Sequence, residues 1–180
     1  EFIDASVLAK LEASGLPVYP TSATMAIVQD KLKQFETLRE AGVPVPGFVE
    51  AESPENVVAA AQSFGWPVML KARRGSYNGY GNLPVANPDE VSSAWEALAK
   101  YRHAGGLLAT AWVQYVTELT VTLVRGRQGE IRTYSVAQTA HQDGICTVIR
   151  VPAPLPVEVR TRATELAVQA AQAIDGIGVM

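Results

Sequence analysis

Cysteine is almost missing from this sequence: Cys146 is the only one in 180 residues, so an internal disulfide and a cysteine-built zinc cage are both excluded. This fits a reducing compartment, and the cytoplasm is the expected location. As a lone free thiol, Cys146 reads as a small buried hydrophobe. Positive charge is not in excess either. The 15 Lys and Arg face 18 Asp and Glu, for a net charge of −3, which argues against a chain whose main work is neutralising a nucleic-acid backbone. Long apolar runs are lacking: the longest fall far short of the roughly 20 residues a membrane span needs. The N-terminus also has no basic stretch leading into an apolar one. Nucleic acid and membrane are therefore not expected partners, whereas small anionic ligands stay open. Also missing are a Walker-type Gly-Lys-Ser/Thr, a dinucleotide Gly-x-Gly-x-x-Gly, an internal repeat, and any nucleophile paired with a base. No catalytic residue is singled out.

What the chain does have is apolar residues, 48% of the total, enough to bury a core, and an alternation of strand and helix signals that predicts an α/β or α+β fold. Ile27, Val28, Leu32, Phe35 and Leu38 recur at helical spacing and predict one helix over 24–41, stopped by Gly42, Pro44 and Pro46. Ser53-Pro54-Glu55 opens a second helix that ends near Phe64 and Gly65, and Asn87-Pro88-Asp89-Glu90 repeats the device before Val91, Trp95 and Leu98. Strands are expected at 67–72, 83–85 and 107–116. Residues 118–151 alternate in period two, with a hairpin loop at 126–129, and predict a series of antiparallel strands. Val157, Leu166, Ala170 and Ile174 trace a last helix ended by Gly176. The rhythm changes near Gln114, where a domain boundary is expected. The absence of an initial Met and the apolar run Ile177-Gly178-Val179-Met180 read as cut ends of a longer polypeptide.

The chemistry concentrates on one strand and its loop. Pro67-Val68-Met69-Leu70-Lys71-Ala72-Arg73-Arg74 leads into Gly75-Ser76-Tyr77-Asn78-Gly79-Tyr80-Gly81. Glycines let backbone N–H groups approach an anion, and a lysine on the adjoining strand supplies a point charge. A structural hairpin with a solvated basic flank is the competing reading. Lys71 interrupts an apolar strand, where an unpaired ammonium is costly. It either meets an anion or snorkels to water from an edge strand. Glu118, opening the alternating region, is a candidate for ribose hydroxyls or an ordinary strand-start carboxylate. His141, read as a turn histidine in His141-Gln142-Asp143-Gly144, is a candidate phosphate donor or simply surface.

In order along the chain stand Gln29-Asp30-Lys31, Gly42-Val43-Pro44-Val45-Pro46, the Met-Leu-Lys-Ala-Arg strand with its glycine loop, Glu118-Leu119-Thr120, the His-Gln-Asp-Gly-Ile-Cys run and Pro152-Ala153. This series resembles the N5-carboxyaminoimidazole ribonucleotide synthetases, and the resemblance spans essentially the whole chain. It implies an ATP-grasp fold. Residues 1–20 would close a Rossmann-like preceding domain, and 21–46 would form a helix and proline-rich linker. Residues 47–113 would be the complete small lobe, and 114–180 the first part of the large lobe. ATP would lie between the lobes.

The implied reaction is an ATP-dependent ligation in purine biosynthesis. Bicarbonate and 5-aminoimidazole ribonucleotide give N5-carboxyaminoimidazole ribonucleotide, ADP and phosphate through carboxyphosphate. Another ATP-grasp ligase, or a nucleotide-binding domain without turnover, are the alternatives, and a homodimer is among the assemblies the resemblance allows. Carried over by position, Lys31 and Lys71 would reach the phosphates, and Ser76, Tyr77, Asn78, Gly79, Tyr80, Gly81 and Asn82 would close over them. The strand Thr110, Ala111, Trp112 and Val113 would hold the adenine edge, Glu118 the ribose, and His141 would lie near the nucleotide. The chain departs from the family pattern at Ser76, Asn78, Tyr80 and Thr110, where the family usually has glycine, aspartate, a basic residue and glutamate. Magnesium is implied as cofactor, with its ligands expected beyond Met180 and none within the chain.

Overall fold

The computed structural model describes residues 3–76, 80–142 and 145–180. The element order is α1 (Ala5–Ala13), α2 (Ser22–Val28), α3 (Lys31–Glu40), β1 (Phe48–Ala51), α4 (Pro54–Phe64), β2 (Val68–Ala72), β3 (Asn82–Val85), α5 (Val91–Ala97) after a 3₁₀ turn at Pro88–Glu90, α6 (Ala99–Gly105), β4 (Leu107–Ala111), β5 (Glu118–Thr120), β6 (Leu123–Arg125), β7 (Ile131–Thr133), β8 (Ala137–Gln142), β9 (Ile145–Arg150), α7 (Val157–Ala173) and β10 (Gly178–Val179). The mixture of helix and strand is the one the sequence predicts. Two compact units result, one made of Gln29–Glu36 and Pro44–Gln114, the other of Glu1–Val28, Thr37–Val43 and Tyr115–Met180.

The first of these units is a four-stranded antiparallel sheet in the order β1-β4-β2-β3. In β2 the residues Val68, Leu70 and Ala72 are fully buried, whereas Met69 and Lys71 are only partly so. That is the period-two alternation of a strand with one face on a core. The buried face meets α4 and α5 through Val57, Ala60, Ala61, Ala94 and Trp95. Two starts fix those helices. The Asn56 side-chain carbonyl accepts from the backbone N–H of Ser53 at 3.1 Å, with Pro54 at the first helical position, where its missing N–H costs nothing. Asn87 Oδ1 accepts from Asp89 N, and Glu90 closes back onto the backbone N–H of Ala86.

In the other unit, β6, β7 and β10 form one three-stranded sheet and β5, β8 and β9 another. The predicted loop at 126–129 does join a hairpin, β6 to β7. The final apolar run pairs with β6, where Leu123 and Met180 exchange both backbone hydrogen bonds at 2.9 Å. α2 is held by Thr24, a buried residue whose hydroxyl lies 3.2 Å from the carbonyls of Ile174 and Asp175, just past α7. Among the described residues no helix is long and apolar enough to cross a membrane.

Four local expectations are corrected. The single helix over 24–41 is two helices, because Asp30 caps the second: its Oδ1 accepts from Leu32 N at 3.1 Å and its carbonyl from Gln34 N. The strand over 107–116 stops at Ala111, since Trp112, Val113 and Tyr115 are exposed rather than paired. His141 lies in β8 rather than in a turn. Cys146 is exposed, because β9 is an edge strand exposed along its whole length.

Candidate functional site

Antiparallel register places directly opposed residues on the same face. Glu50 opposes Leu108, Leu108 opposes Lys71, and Lys71 opposes Asn82. One cross-strand row on the face away from the core therefore carries Glu50, Leu108, Lys71 and Asn82. The next row carries Phe48, Thr110, Met69 and Pro84. Over this face lies the start of α3: Phe35 meets Phe48 with ring centroids 5.3 Å apart, and the Lys71 ammonium stands 5.9 Å from the Phe35 centroid.

Lys71 is thus on an interior strand, and the edge-strand alternative falls away. Burial and the nearby Lys31 together hold its pKa below the ordinary lysine value. Both causes act against the charged form, so an anion arriving here relieves both. Lys31 donates from Nζ to Ser76 Oγ at 2.7 Å, and its backbone N–H donates to the carbonyl of Arg73 at 3.0 Å. Asn82 Oδ1 is buried and has no hydrogen-bond partner among the described residues. The loop returns to the sheet at Gly81, whose carbonyl accepts from Ala72 N at 2.7 Å. A Cβ on Gly81 would lie 2.7 Å from that of Ser76. Lys31, Lys71, Ser76 and Asn82 are therefore brought to one region. Tyr80 is exposed, and Tyr77, Asn78 and Gly79 lie outside the described residues.

Thr110 is buried in the sheet and Ala111 ends it, which leaves Trp112 and Val113 outside the strand ladder. Backbone groups beyond a strand end are available to a planar heterocycle.

In the other unit, Glu118 begins β5 and opposes Thr139 of β8. His141, two residues further along β8, sets Nδ1 2.7 Å from Glu118 Oε2. These two sequence candidates therefore form a pair. This contact engages one carboxylate oxygen, and the second oxygen of a carboxylate can also accept. His141 also lines a cleft of about 650 Å³ with Thr120, Thr139, Cys146, Ile149 and Val151.

Sequence reasoning missed an ionic cluster beside the lysines. Asp30 is fully buried and accepts from Arg73 Nε and Nη2 at 3.1 and 2.7 Å and from Arg74 Nε and Nη2 at 3.1 and 3.0 Å. Arg73 also pairs with Glu50. Burial works to raise the Asp30 pKa, but the hydrogen bonds and charges of the two arginines outweigh it and hold the carboxyl below its ordinary value. The signal was present: two arginines directly after a buried strand require counter-charge. Among the described residues no group of three or more His, Cys, Asp or Glu side chains is arranged to hold a metal ion.

Lys71 on the sheet and Lys31 at the start of α3 act on one another beside a glycine-rich segment of an α/β unit, an arrangement suited to an anion, and comparison with known proteins specifies the family. The chain belongs to the ATP-grasp family, whose domain matches residues 36–180. It is 32% identical to the phosphoribosylaminoimidazole carboxylase of Schizosaccharomyces pombe over 99% of this chain and 32% of that protein. Among solved structures it follows the carboxyaminoimidazole ribonucleotide synthase of Aspergillus clavatus complexed with ATP. The TM-score is 0.90 at 30% identity, covering 98% of this chain and 46% of that one. The N5-carboxyaminoimidazole synthase of the same organism, in complex with ADP and 5-aminoimidazole ribonucleotide, gives a TM-score of 0.88 at 30% identity, over 99% of this chain and 46% of that one. The chain thus spans about a third of the curated relative's length and just under half of each crystallised one.

Proposed function

We propose that this chain is the ATP-binding part of an enzyme that carboxylates 5-aminoimidazole ribonucleotide in de novo purine biosynthesis. The reaction takes ATP, bicarbonate and the aminoimidazole ribonucleotide to N5-carboxyaminoimidazole ribonucleotide, ADP and phosphate. The observation that carries this reading is the cationic pair Lys31 and Lys71 beside a glycine loop, in a chain that follows an ATP-complexed relative over 98% of its residues. In the first step a bicarbonate oxygen attacks the γ-phosphorus and the bond to ADP breaks, giving carboxyphosphate. In the second the exocyclic amine attacks the carboxyl carbon, the C–O bond to phosphate breaks, and the amine gives up a proton. Such phosphoryl transfer depends on positioning and charge neutralisation more than on a protein nucleophile.

In this reading Lys31 and Lys71 neutralise the phosphates, and the loop 76–82 offers backbone N–H groups to them. The backbone of 110–113 meets the adenine edge, Glu118 accepts from the ribose hydroxyls, and His141 orients Glu118. Magnesium accompanies ATP. Its protein ligands are assigned to the length of the relatives that this chain does not span, because the carboxylates nearest the lysines, Asp30 and Glu50, already hold arginines. A cytoplasmic site of action agrees with an exposed, unpaired Cys146.

The test is ADP release by the full-length protein. Release is expected to require both bicarbonate and 5-aminoimidazole ribonucleotide and to be lost in Lys71→Ala. ATP turnover indifferent to the ribonucleotide would overturn the substrate assignment.

A further inference from the structure

Asp30 occupies a position that no substrate contact explains. It is fully buried, it caps α3 through Leu32 N, and it receives both nitrogens of a fork from Arg73 and again from Arg74. A carboxylate buried this deeply persists only when its lone pairs are filled by strong donors. Among the described residues, the donors to its side chain come from two elements: the first turn of α3 and the residues that follow β2. The residue after Asp30 on α3 is Lys31, and the residue two before Arg73 on β2 is Lys71. A single carboxylate therefore ties together the two chain segments that carry the two lysines.

The charges point the same way. Arg73 and Arg74 are balanced by Asp30 and Glu50, so the two guanidinium groups are already engaged by the protein's own carboxylates. The neighbourhood is shaped to admit the cluster. A Cβ on Gly105 would lie 2.8 Å from Arg74 Cβ, and one on Gly106 would lie 3.3 Å from Arg73 Cδ. Arg73 N donates to the Gly106 carbonyl, and Arg73 O accepts from Lys31 N, each at 3.0 Å. The arginine backbone thus links the end of α6 to the start of α3 in the immediate surroundings of the phosphate candidates.

We infer that Asp30 is a positioning residue for phosphate binding: through Arg73 and Arg74 it holds Lys31 and the loop base in register with Lys71, without touching the ligand. The inference rests on the ATP reading proposed above. It assigns to the acidic residue of Gln29-Asp30-Lys31 the task of setting the spacing of the lysines, and to the double arginine a scaffolding rather than a ligand-binding role.

Calorimetric titration of the full-length protein and its Asp30→Asn variant, with ATP, inorganic tripolyphosphate and adenosine as probes, tests it. Asparagine keeps the shape and the cap to Leu32 N but loses the charge that holds both guanidinium groups. Asp30→Asn is expected to weaken ATP and tripolyphosphate at least tenfold and to leave adenosine unchanged. Unchanged ATP affinity overturns the inference, as does an equal loss for adenosine, which a purely structural role would produce. Should Asp30→Asn fail to fold, Arg74→Gln replaces it, since Arg74 is 45% exposed and its loss keeps the Asp30–Arg73 pair. A several-fold loss confined to the phosphate-bearing probes supports the inference, and no loss overturns it. Wild-type protein that binds neither ATP nor tripolyphosphate refutes the ATP reading itself and this inference with it, an outcome distinct from a variant that binds as the wild type does.

Discussion

The ammonium of Lys71 stands 5.9 Å from the centre of the Phe35 ring and forms no ion pair with any described residue. Partial burial and a second lysine, Lys31, together lower its pKa. A lysine so placed is unfavourable for the empty protein and favourable for the anion-bound one. Below its lowered pKa the group is charged and the desolvation cost is fully present. Between that pKa and the ordinary value the native state holds fewer protons than the unfolded chain, so stability rises with pH. Lys71→Met is therefore expected to leave thermal stability at neutral pH unchanged or raised. The same substitution removes a charge-assisted contact worth about 1.5–3 kcal/mol, and should weaken ATP by roughly tenfold or more. In the wild type, ATP affinity should fall as pH rises through the lowered pKa, a dependence that Lys71→Met loses. Titration calorimetry across that range checks both, and an unchanged affinity in the variant would remove Lys71 from the site.

Glu118 and His141 form the second expectation. With His141 Nδ1 at 2.7 Å from one carboxylate oxygen, the other oxygen is left to take a hydroxyl pair, so the effect of Glu118→Gln should depend on the sugar. The variant is expected to weaken ATP by about tenfold, within the range of a hydrogen bond to a charged acceptor. It should hardly affect 2′,3′-dideoxy-ATP. His141→Ala should produce a smaller loss in the same direction, because it frees the carboxylate to turn without removing it. Equal losses for the two nucleotides in Glu118→Gln would mean that the carboxylate does not meet the ribose.

Much of this was legible in the residues because local signals and packing agree. Ser53-Pro54 and Asn87-Pro88 start helical segments, Gly126 and Gly129 mark a hairpin, and the apolar alternation of β2 places Lys71 on the face opposite the core. The failures share one physical origin: each depends on groups far apart in sequence. The break at Asp30 is not written in the apolar spacing of 24–41, because the arginines that fix it lie 43 and 44 residues away. The run after Ala111 looks like strand because its residues are apolar, yet among the described residues no strand pairs with it. Cys146 is exposed and His141 meets Glu118 through the order of strands in a sheet, which pattern alone does not give.

Asp30 gives the protein an acid limb of predictable sign. Its carboxyl is held below the ordinary 3.8 once the arginine hydrogen bonds have outweighed burial. Its contribution is therefore complete above the unfolded value and is lost as pH falls through the folded one. The groups facing it are Arg73, Arg74 and, through Arg73, Glu50. Urea midpoints measured downward from pH 6 should decline more steeply in the wild type than in Asp30→Asn, with the two curves converging at the acid end. At pH 6 the variant should be less stable by about 3–5 kcal/mol, the range for removing one partner of a buried pair. Parallel curves would show that Asp30 is not the group that titrates.

Gly106 and Gly129 separate backbone strain from its consequences for the site. Both have positive φ, +88° and +89°. Gly106 combines this with ψ of 174°, a region occupied almost only by glycine, where a side chain costs about 1–3 kcal/mol. A Cβ on Gly129 would meet nothing within 4 Å, whereas one on Gly106 would press on Arg73 Cδ. Gly106→Ala and Gly129→Ala should therefore both lower the melting temperature, by about 2–4 °C per kcal/mol lost in a chain of this size. Only Gly106→Ala should also weaken tripolyphosphate, because only it displaces the arginine whose carbonyl holds Lys31. If both variants bind tripolyphosphate as the wild type does while melting earlier, the cluster around Asp30 contributes to stability and not to the spacing of the lysines.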